Sequence, residues 1–280
     1  MPFKNKLFKR ALPLVLSLGL LFLLIKPRCL IRPDLFSSGV LMQNIKTDFT
    51  AFKCPELKKI TLRPLSYLGL GLQSIAFESA DQKYVLKFFL KERLHQKSRW
   101  RFSRLWDTSP LPKIENSPKD RSYVLKRYED VFLNLKEETA LIAVHLNVQE
   151  TAPKRCTLLD WQNKRHRIAL NSLCFVIQEK GEALEQAFGR LSKTEQQKAL
   201  LSLENLITTI AQKGFSSLAK SFKSKNFALI GTKAVMIDAG DLIFSEKQKA
   251  FPENETKRVI SLFKTWQKKN LKRFNFPQVP

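Results

Sequence analysis

The sequence predicts an α+β protein of two lobes, the first rich in strands and the second in helices, behind an apolar N-terminal segment. Three observations lead there. Apolar stretches at 60–68, 74–79 and 84–90 alternate with short polar breaks, as antiparallel strands do. Ser192-Lys193-Thr194-Glu195 has capping-box spacing and opens an amphipathic run with Leu200, Leu203, Ile207 and Ile210 on one face, closed by Gly214. Two short apolar segments, 227–230 and 233–237, flank Gly231-Thr232, which reads as a hairpin with a type II′ turn.

Composition bounds the function. The chain has 280 residues, 44% apolar and 26% charged, a balance that excludes disorder and a multi-pass membrane protein. Lys and Arg number 49 against 25 Asp and Glu, a net charge of +24 that must face lipid head groups, nucleic acid, an anionic ligand or water. Cys29, Cys54, Cys156 and Cys174 are scattered, and His95, His145 and His166 do not accompany them at metal spacing. Buried or idle thiols are expected, not a zinc site or a disulfide framework.

The first 32 residues hold seven basic residues and no acid: Lys4, Lys6, Lys9 and Arg10 before the run 11–25, and Lys26, Arg28 and Arg32 after it. The segment is a signal peptide or an uncleaved anchor. Leu23-Leu24-Ile25 runs straight into Lys26-Pro27-Arg28 without the small residues of a cleavage site, which favours an anchor at 11–25 behind a basic flank at 1–10. Its fifteen residues fall short of the roughly 20 that a bilayer core needs, so the flanking lysines would have to snorkel. Residues 26–58 read as a tether, broken by Pro33, Ser37-Ser38-Gly39 and Pro55. Subtracting seven from +24 leaves +17 on the remainder, so the main domain is basic in its own right.

Within that domain, Asp81-Gln82 marks a tight turn between the second and third strands. Residues 91–106 interleave six cations with Trp100, Phe102 and Trp106, either a packed helix with solvated charges or a surface for single-stranded nucleic acid or a membrane interface. Pro110, Pro112 and Pro118 mark a loop. Helical period then places Val131, Leu135, Ile142 and Leu146 on one stripe, and Glu138 falls on it too. A carboxylate on a core face wants a cationic partner. Strands are expected at 157–161 and 168–178, joined by a basic turn in which His166 is a surface residue and not a catalyst. The last element, 254–274, is a basic helix with Val259, Phe263 and Trp266 on one face. It either packs by that face onto the domain or lies on an anionic bilayer.

In order, these pieces resemble the protein-kinase-like superfamily, in the form of a divergent bacterial member. Leu68-Gly69-Leu70-Gly71-Leu72-Gln73-Ser74-Ile75-Ala76 is similar to a kinase glycine-rich loop, with Ser74 at the third glycine position, although a plain β-turn would use these glycines too. Val85-Leu86-Lys87-Phe88 resembles the kinase strand whose lysine holds nucleotide phosphates and pairs with a helix glutamate. The resemblance makes Glu138 the candidate for that glutamate. Residues 175–181 resemble the hinge, and the helix 193–213 the central helix of the second lobe. Asn226, the hairpin and Asp238 match the two metal-binding positions in order and spacing, and Lys223 sits where the catalytic-loop lysine belongs. Both proposed metal ligands are hard oxygen donors suited to magnesium. The lobes would span 59–180 and 181–280, the second being short.

One position departs from the family. Five residues before Asn226, where the catalytic base belongs, stands Ser221, and no Asp or Glu occurs between Glu204 and Asp238. A serine cannot accept a substrate proton as a carboxylate does. The resemblance therefore implies a membrane-anchored pseudokinase that binds ATP and Mg through Gly69, Gly71, Ser74, Lys87, Glu138, Lys223, Asn226 and Asp238, and acts as a scaffold or regulator. Two alternatives stay open: a divergent active kinase for an envelope glycolipid or small molecule, and a non-enzymatic basic membrane protein that binds nucleic acid. The expected setting is a bacterial inner membrane crossed once, with the domain cytoplasmic beside anionic lipid or a protein partner.

Overall fold

A computed structural model describes residues 41–43, 54–71, 73–91, 118–146, 155–217 and 221–274; the side chains of 118–122 and 271–274 lie outside the description. The expected anchor, most of the expected tether and nearly all of the basic aromatic stretch at 91–106 also lie outside it. Among the described residues no helix is long and apolar enough to cross a membrane.

The fold is mixed α+β, with one large sheet and several helices. A short helix α1 (Leu57–Thr61) leads into β1 (Leu65–Leu70), β2 (Ser74–Glu78) and β3 (Tyr84–Phe89). The expected first strand from 60 is thus corrected. Leu57 and Ile60 are buried at helical spacing, exposed Leu62 follows, and the strand begins only after Pro64.

Helix α2 (Pro118–Asn134) and the single turn α3 (Lys136–Thr139) come next, then β4 (Leu141–His145). Here the sequence stripe fails. Val131 and Leu135 are buried on the helical run, but Ala140 takes a left-handed conformation at φ 51° and ends it. Ile142 and Leu146 therefore belong to the strand and its edge, not to the helix.

Strands β5 (Cys156–Leu159) and β6 (Arg165–Ile168) form a hairpin, and a 3-10 turn at Leu170–Ser172 separates β6 from β7 (Phe175–Glu179). What reads in sequence as one strand at 168–178 is two. In the β5–β6 turn Asp160 accepts from the amides of Gln162 and Lys164 at 2.8 and 2.9 Å and meets His166 Nε2 at 2.9 Å. His166 is thus a structural partner of a turn. Cys54, Cys156 and Cys174 are free thiols, and burial pushes Cys54 up to about 11 and Cys156 up to about 12.

The seven strands are ordered β4-β7-β3-β2-β1-β5-β6. Period two sends Leu86 and Phe88 of β3 to one face and Lys87 and Phe89 to the other. The first face is closed by Leu57, Ile60, Leu65 and Leu158, and aromatic contacts link Phe77, Phe88 and Phe175 edge-on or tilted. The second face belongs to a cluster that runs from Phe89, Leu125 and Val176 into the helical part of the chain.

That part begins with β8 (Glu182–Ala183) and α4 (Leu184–Phe188), then α5 (Lys193–Gln212). The capping box is present: the Glu195 amide donates to Ser192 Oγ at 3.4 Å and the Ser192 amide donates to Glu195 Oε2 at 2.9 Å. Leu200, Leu203, Ile207 and Ile210 are all buried, and Gly214 stops the helix at φ 86°. Strand β9 (Phe215–Ser217) precedes a 3-10 turn at Ser224–Asn226, the hairpin β10 (Phe227–Ile230) and β11 (Lys233–Met236), β12 (Leu242–Phe244), α6 (Glu246–Ala250) and α7 (Glu253–Phe274). In the hairpin turn Gly231 has φ 63° while Thr232 does not turn positive, as type II′ and not type I′ requires.

Helix α7 packs by its apolar face. Phe263 is 1% exposed, and Val259 and Trp266 lie against the core, where Phe222 stacks on Phe227 and meets Phe263 and Trp266. The chain passes from sheet to helices at Gly181, where a Cβ would stand 2.8 Å from Ala228 Cβ and 3.1 Å from the Leu229 carbonyl. Only glycine lets the crossing lie this close to β10.

Candidate functional site

The site lies where the sheet meets the open end of the β10–β11 hairpin. Register fixes its first member: Lys87 pairs with Ala76 of β2 and Val176 of β7, at the middle of the sheet. Its ammonium is enclosed and donates to the Ile237 carbonyl, beside Asp238. Burial pulls the lysine down to about 8, with Asp238 opposing part of that shift.

The hairpin fixes the next two. The Asn226 carbonyl accepts from the amides of Ile237 at 2.8 Å and Asp238 at 3.3 Å, so the two strands stay clamped past their last ladder pair. Asn226 is buried at 5% exposure, while Asp238 is exposed. The structure thus brings Lys87, Asn226 and Asp238 to one place. The Asn226 side-chain amide and the open Asp238 carboxylate are hard oxygen donors of the kind magnesium takes, and these two residues would hold it.

The segment after Asp238 is held from both sides. Arg127 Nη1 donates to the Gly240 carbonyl at 2.8 Å, and the Leu242 amide donates to the Ala239 carbonyl at 3.0 Å. Tyr128 packs on Phe89 with ring centroids 4.9 Å apart, and burial together with Asp238 and Asp241 drives its hydroxyl well above the usual range. Lys223 Nζ reaches Asp241 Oδ2 at 2.8 Å, which ties the loop before Asn226 to the far end of the same segment. Ser221 is exposed on that loop, two residues before Lys223.

The glycine-rich turn is a tight hairpin. The Gly71 amide donates to the Ser74 carbonyl at 2.8 Å, so it is engaged within the turn. Gly69 sits in β1 opposite Ala76, beside a bulge, with open space where a side chain would go. Gln73 of this turn descends on Gly240: a Cβ there would stand 2.7 Å from Gln73 Oε1 and 3.6 Å from Asp238 Oδ1.

Glu138 goes elsewhere. It sits on α3 and meets Lys213 at 2.6 Å, not Lys87, and its other oxygen is buried without a partner. The expected Lys87–Glu138 pair is replaced by a Glu138–Lys213 link between α3 and the end of α5. Helix α2 instead presents Arg127 and Tyr128 to Gly240, in the segment that follows Asp238.

Sequence reasoning missed four participants: Arg127, Tyr128, Gln178 and Asp241. Gln178, 3% exposed on β7, donates to the Thr139 carbonyl and, at 3.1 Å, to the Met236 carbonyl, which stitches the sheet to β11. A polar residue in the apolar strand 175–179 was the signal available for it. Asp241 was visible as the second aspartate of Asp238-Ala239-Gly240-Asp241, but its contact with Lys223 was not.

Among the described residues no group of three or more His, Cys, Asp or Glu side chains could hold a metal, so Asn226 and Asp238 stand as a two-residue set. A cavity of about 70 Å³ lies under the loop, between α5 and α7, lined by Ser221, Phe222, Asn226, Ile207, Val259 and others.

No family model matches the chain, and neither does any curated protein. Among solved structures, a crystal structure of WbdD aligns with TM-score 0.39 and 15% identity over 73% of this chain and 38% of that one. A second structure, of WbdD described as a bifunctional kinase-methyltransferase, aligns with TM-score 0.39 and 18% identity over 71% and 37%. The chain spans under two fifths of either.

Proposed function

We propose that this is a kinase-like protein that binds Mg-ATP between the sheet and the β10–β11 hairpin, held beside a membrane, with a catalytic loop that supplies no base of its own. The observation that carries this reading is the convergence of Lys87, Asn226 and Asp238, three residues 151 positions apart at their extremes, in the order expected of the family (238 − 87). In this reading Lys87 holds nucleotide phosphates, and Asn226 and Asp238 hold the metal that neutralises them. With Ser221 at the base position, the chain acts first as a nucleotide-responsive scaffold or regulator.

A second reading, a divergent kinase for an envelope glycolipid or small molecule, is favoured by one contact: Lys223 with Asp241, a carboxylate at the loop after all. Nothing comparable favours nucleic acid. The outward side of α7 carries Lys257, Lys264 and Lys268 at spacings of seven and four, one stripe that includes Ile260 and Ser261 and no acid. We place this stripe against anionic lipid, each lysine contributing on the order of 1 kcal/mol near such a surface.

Thermal unfolding of the full chain in detergent tests the nucleotide. A ligand at a hundred times its Kd stabilises by about 2.7 kcal/mol. The expected result is a rise in Tm with Mg-ATP that is absent in Lys87→Ala and Asp238→Ala. An unchanged wild type would overturn the reading.

A further inference from the structure

We propose that Asp241 supplies the carboxylate missing from the catalytic loop, so that the site transfers the γ-phosphoryl group to a hydroxyl. The inference rests on the Mg-ATP reading above and adds the group that would take the acceptor's proton.

Transfer to a hydroxyl needs a proton acceptor within hydrogen-bond reach of the attacking oxygen. Ser221 cannot serve, and the loop sequence holds no acid. The fold delivers one from the other side. Asp241 Oδ2 meets Lys223 Nζ at 2.8 Å, two residues along the loop from Ser221. Asp241 Oδ1 makes no hydrogen bond among the described residues, which leaves it for an incoming hydroxyl.

The carboxylate is placed, not loose. Arg127 holds the Gly240 carbonyl, Ala239 is buried, and β12 begins immediately after Asp241, so the backbone on both sides is fixed. It is also reachable: the Asp241 side chain is 35% exposed and that of Lys223 38%. Asp238 and Asp241 stand three residues apart on the one segment that Arg127 and Lys223 hold, the proposed metal ligand at its start and the proposed base at its end. Lys223 orients Asp241 through this contact. Glu185, a second carboxylate near the loop, accepts from Ser224 Oγ at 2.6 Å.

The acceptor oxygen bonds to the γ-phosphorus while the bond from that phosphorus to the β,γ-bridging oxygen breaks. ADP departs, and the hydroxyl proton passes to Asp241 Oδ1 and then to solvent. Water is an acceptor of the same kind, so hydrolysis of ATP reports the step with no knowledge of the natural substrate.

The test uses the full chain in detergent, with phosphate release from Mg-ATP and the Tm shift with Mg-ADP measured side by side. The wild type is expected to release phosphate. Asp241→Asn should lower release by roughly 10²- to 10⁴-fold with the Mg-ADP shift intact, and Glu185→Gln should release phosphate like the wild type. Three results overturn the proposal: Asp241→Asn as fast as wild type, a wild type that binds Mg-ADP and releases nothing, or an Asp241→Asn variant that loses binding and release together. A wild type without an Mg-ADP shift is a different failure, that of the nucleotide site itself.

Discussion

Two lysines face the segment from Asp238 to Asp241, and their surroundings are opposite. Lys87 rises from the centre of the sheet, its ammonium enclosed against the Ile237 carbonyl, and burial has pulled it down to about 8. Lys223 stands at the cleft edge, more than a third exposed, paired with Asp241 at 2.8 Å. A buried cation with one carbonyl and a nearby carboxylate is poorly compensated, whereas an exposed pair is merely solvated. The fold bears a cost at Lys87 that packing alone would not impose. That cost separates this lysine from the many others on a +24 chain, and under the proposed function an anionic ligand would offset it.

The widest separation between the two should be in binding. Lys87→Ala and Asp238→Ala are expected to abolish nucleotide stabilisation, about 2.7 kcal/mol at a hundredfold excess over Kd, while Lys223→Met keeps most of it. Calorimetric titration with Mg-ATP checks this. Equal losses at both lysines would erase the distinction.

Next in size is a pH effect. Between about 8 and the ordinary 10.5 the folded chain binds fewer protons at Lys87 than the unfolded chain, so stability rises with pH across that window, and the cost is fully present below it. Denaturant melts of wild type and Lys87→Met should therefore converge in the wild type's favour from pH 8 to 10.5. A constant difference would mean that Lys87 is not buried as described.

The crossing between sheet and helices should be costly to alter. Gly181→Ala puts a methyl 2.8 Å from Ala228 Cβ, and overpacking of this kind costs about 1–3 kcal/mol. Gly240→Ala should cost less, because its close neighbour is the far end of Gln73. Guanidine melts that rank them the other way would show that the Gln73 contact is the more rigid one.

Smallest is the change at Glu138. Its partner Lys213 is 41% exposed, so Glu138→Gln should cost no more than about 1 kcal/mol after solvent screening, with no effect on the nucleotide shift. Loss of that shift would restore Glu138 to the role its place in the sequence suggested.

How far the sequence was legible depends on the kind of signal. Local chemistry was readable: the box at Ser192 and Glu195, the turn at Gly231, and the order of Lys87, Asn226 and Asp238. Each depends on residues within a few positions, or on order alone. The stripe through Glu138 misled because helical period was counted across a break at Ala140, whose left-handed conformation no side chain announces. The strand expected at 168–178 failed for a similar reason, since a 3-10 turn hides inside apolar sequence. Arg127, Gln178 and Asp241 act across 113, 58 and 18 residues respectively, and only tertiary structure shows what such side chains meet.

The most direct test of the central claim labels lysines with an ATP derivative whose terminal phosphate carries an activated acyl group, which acylates an amine lying beside the phosphates. A lysine pulled down to about 8 is also the better nucleophile at neutral pH. Mass spectrometry of the labelled full chain should place the acyl group on Lys87, and excess Mg-ATP should suppress it. Label spread over Lys257, Lys264 and Lys268 of α7, unaffected by Mg-ATP and sparing Lys87, would contradict the account.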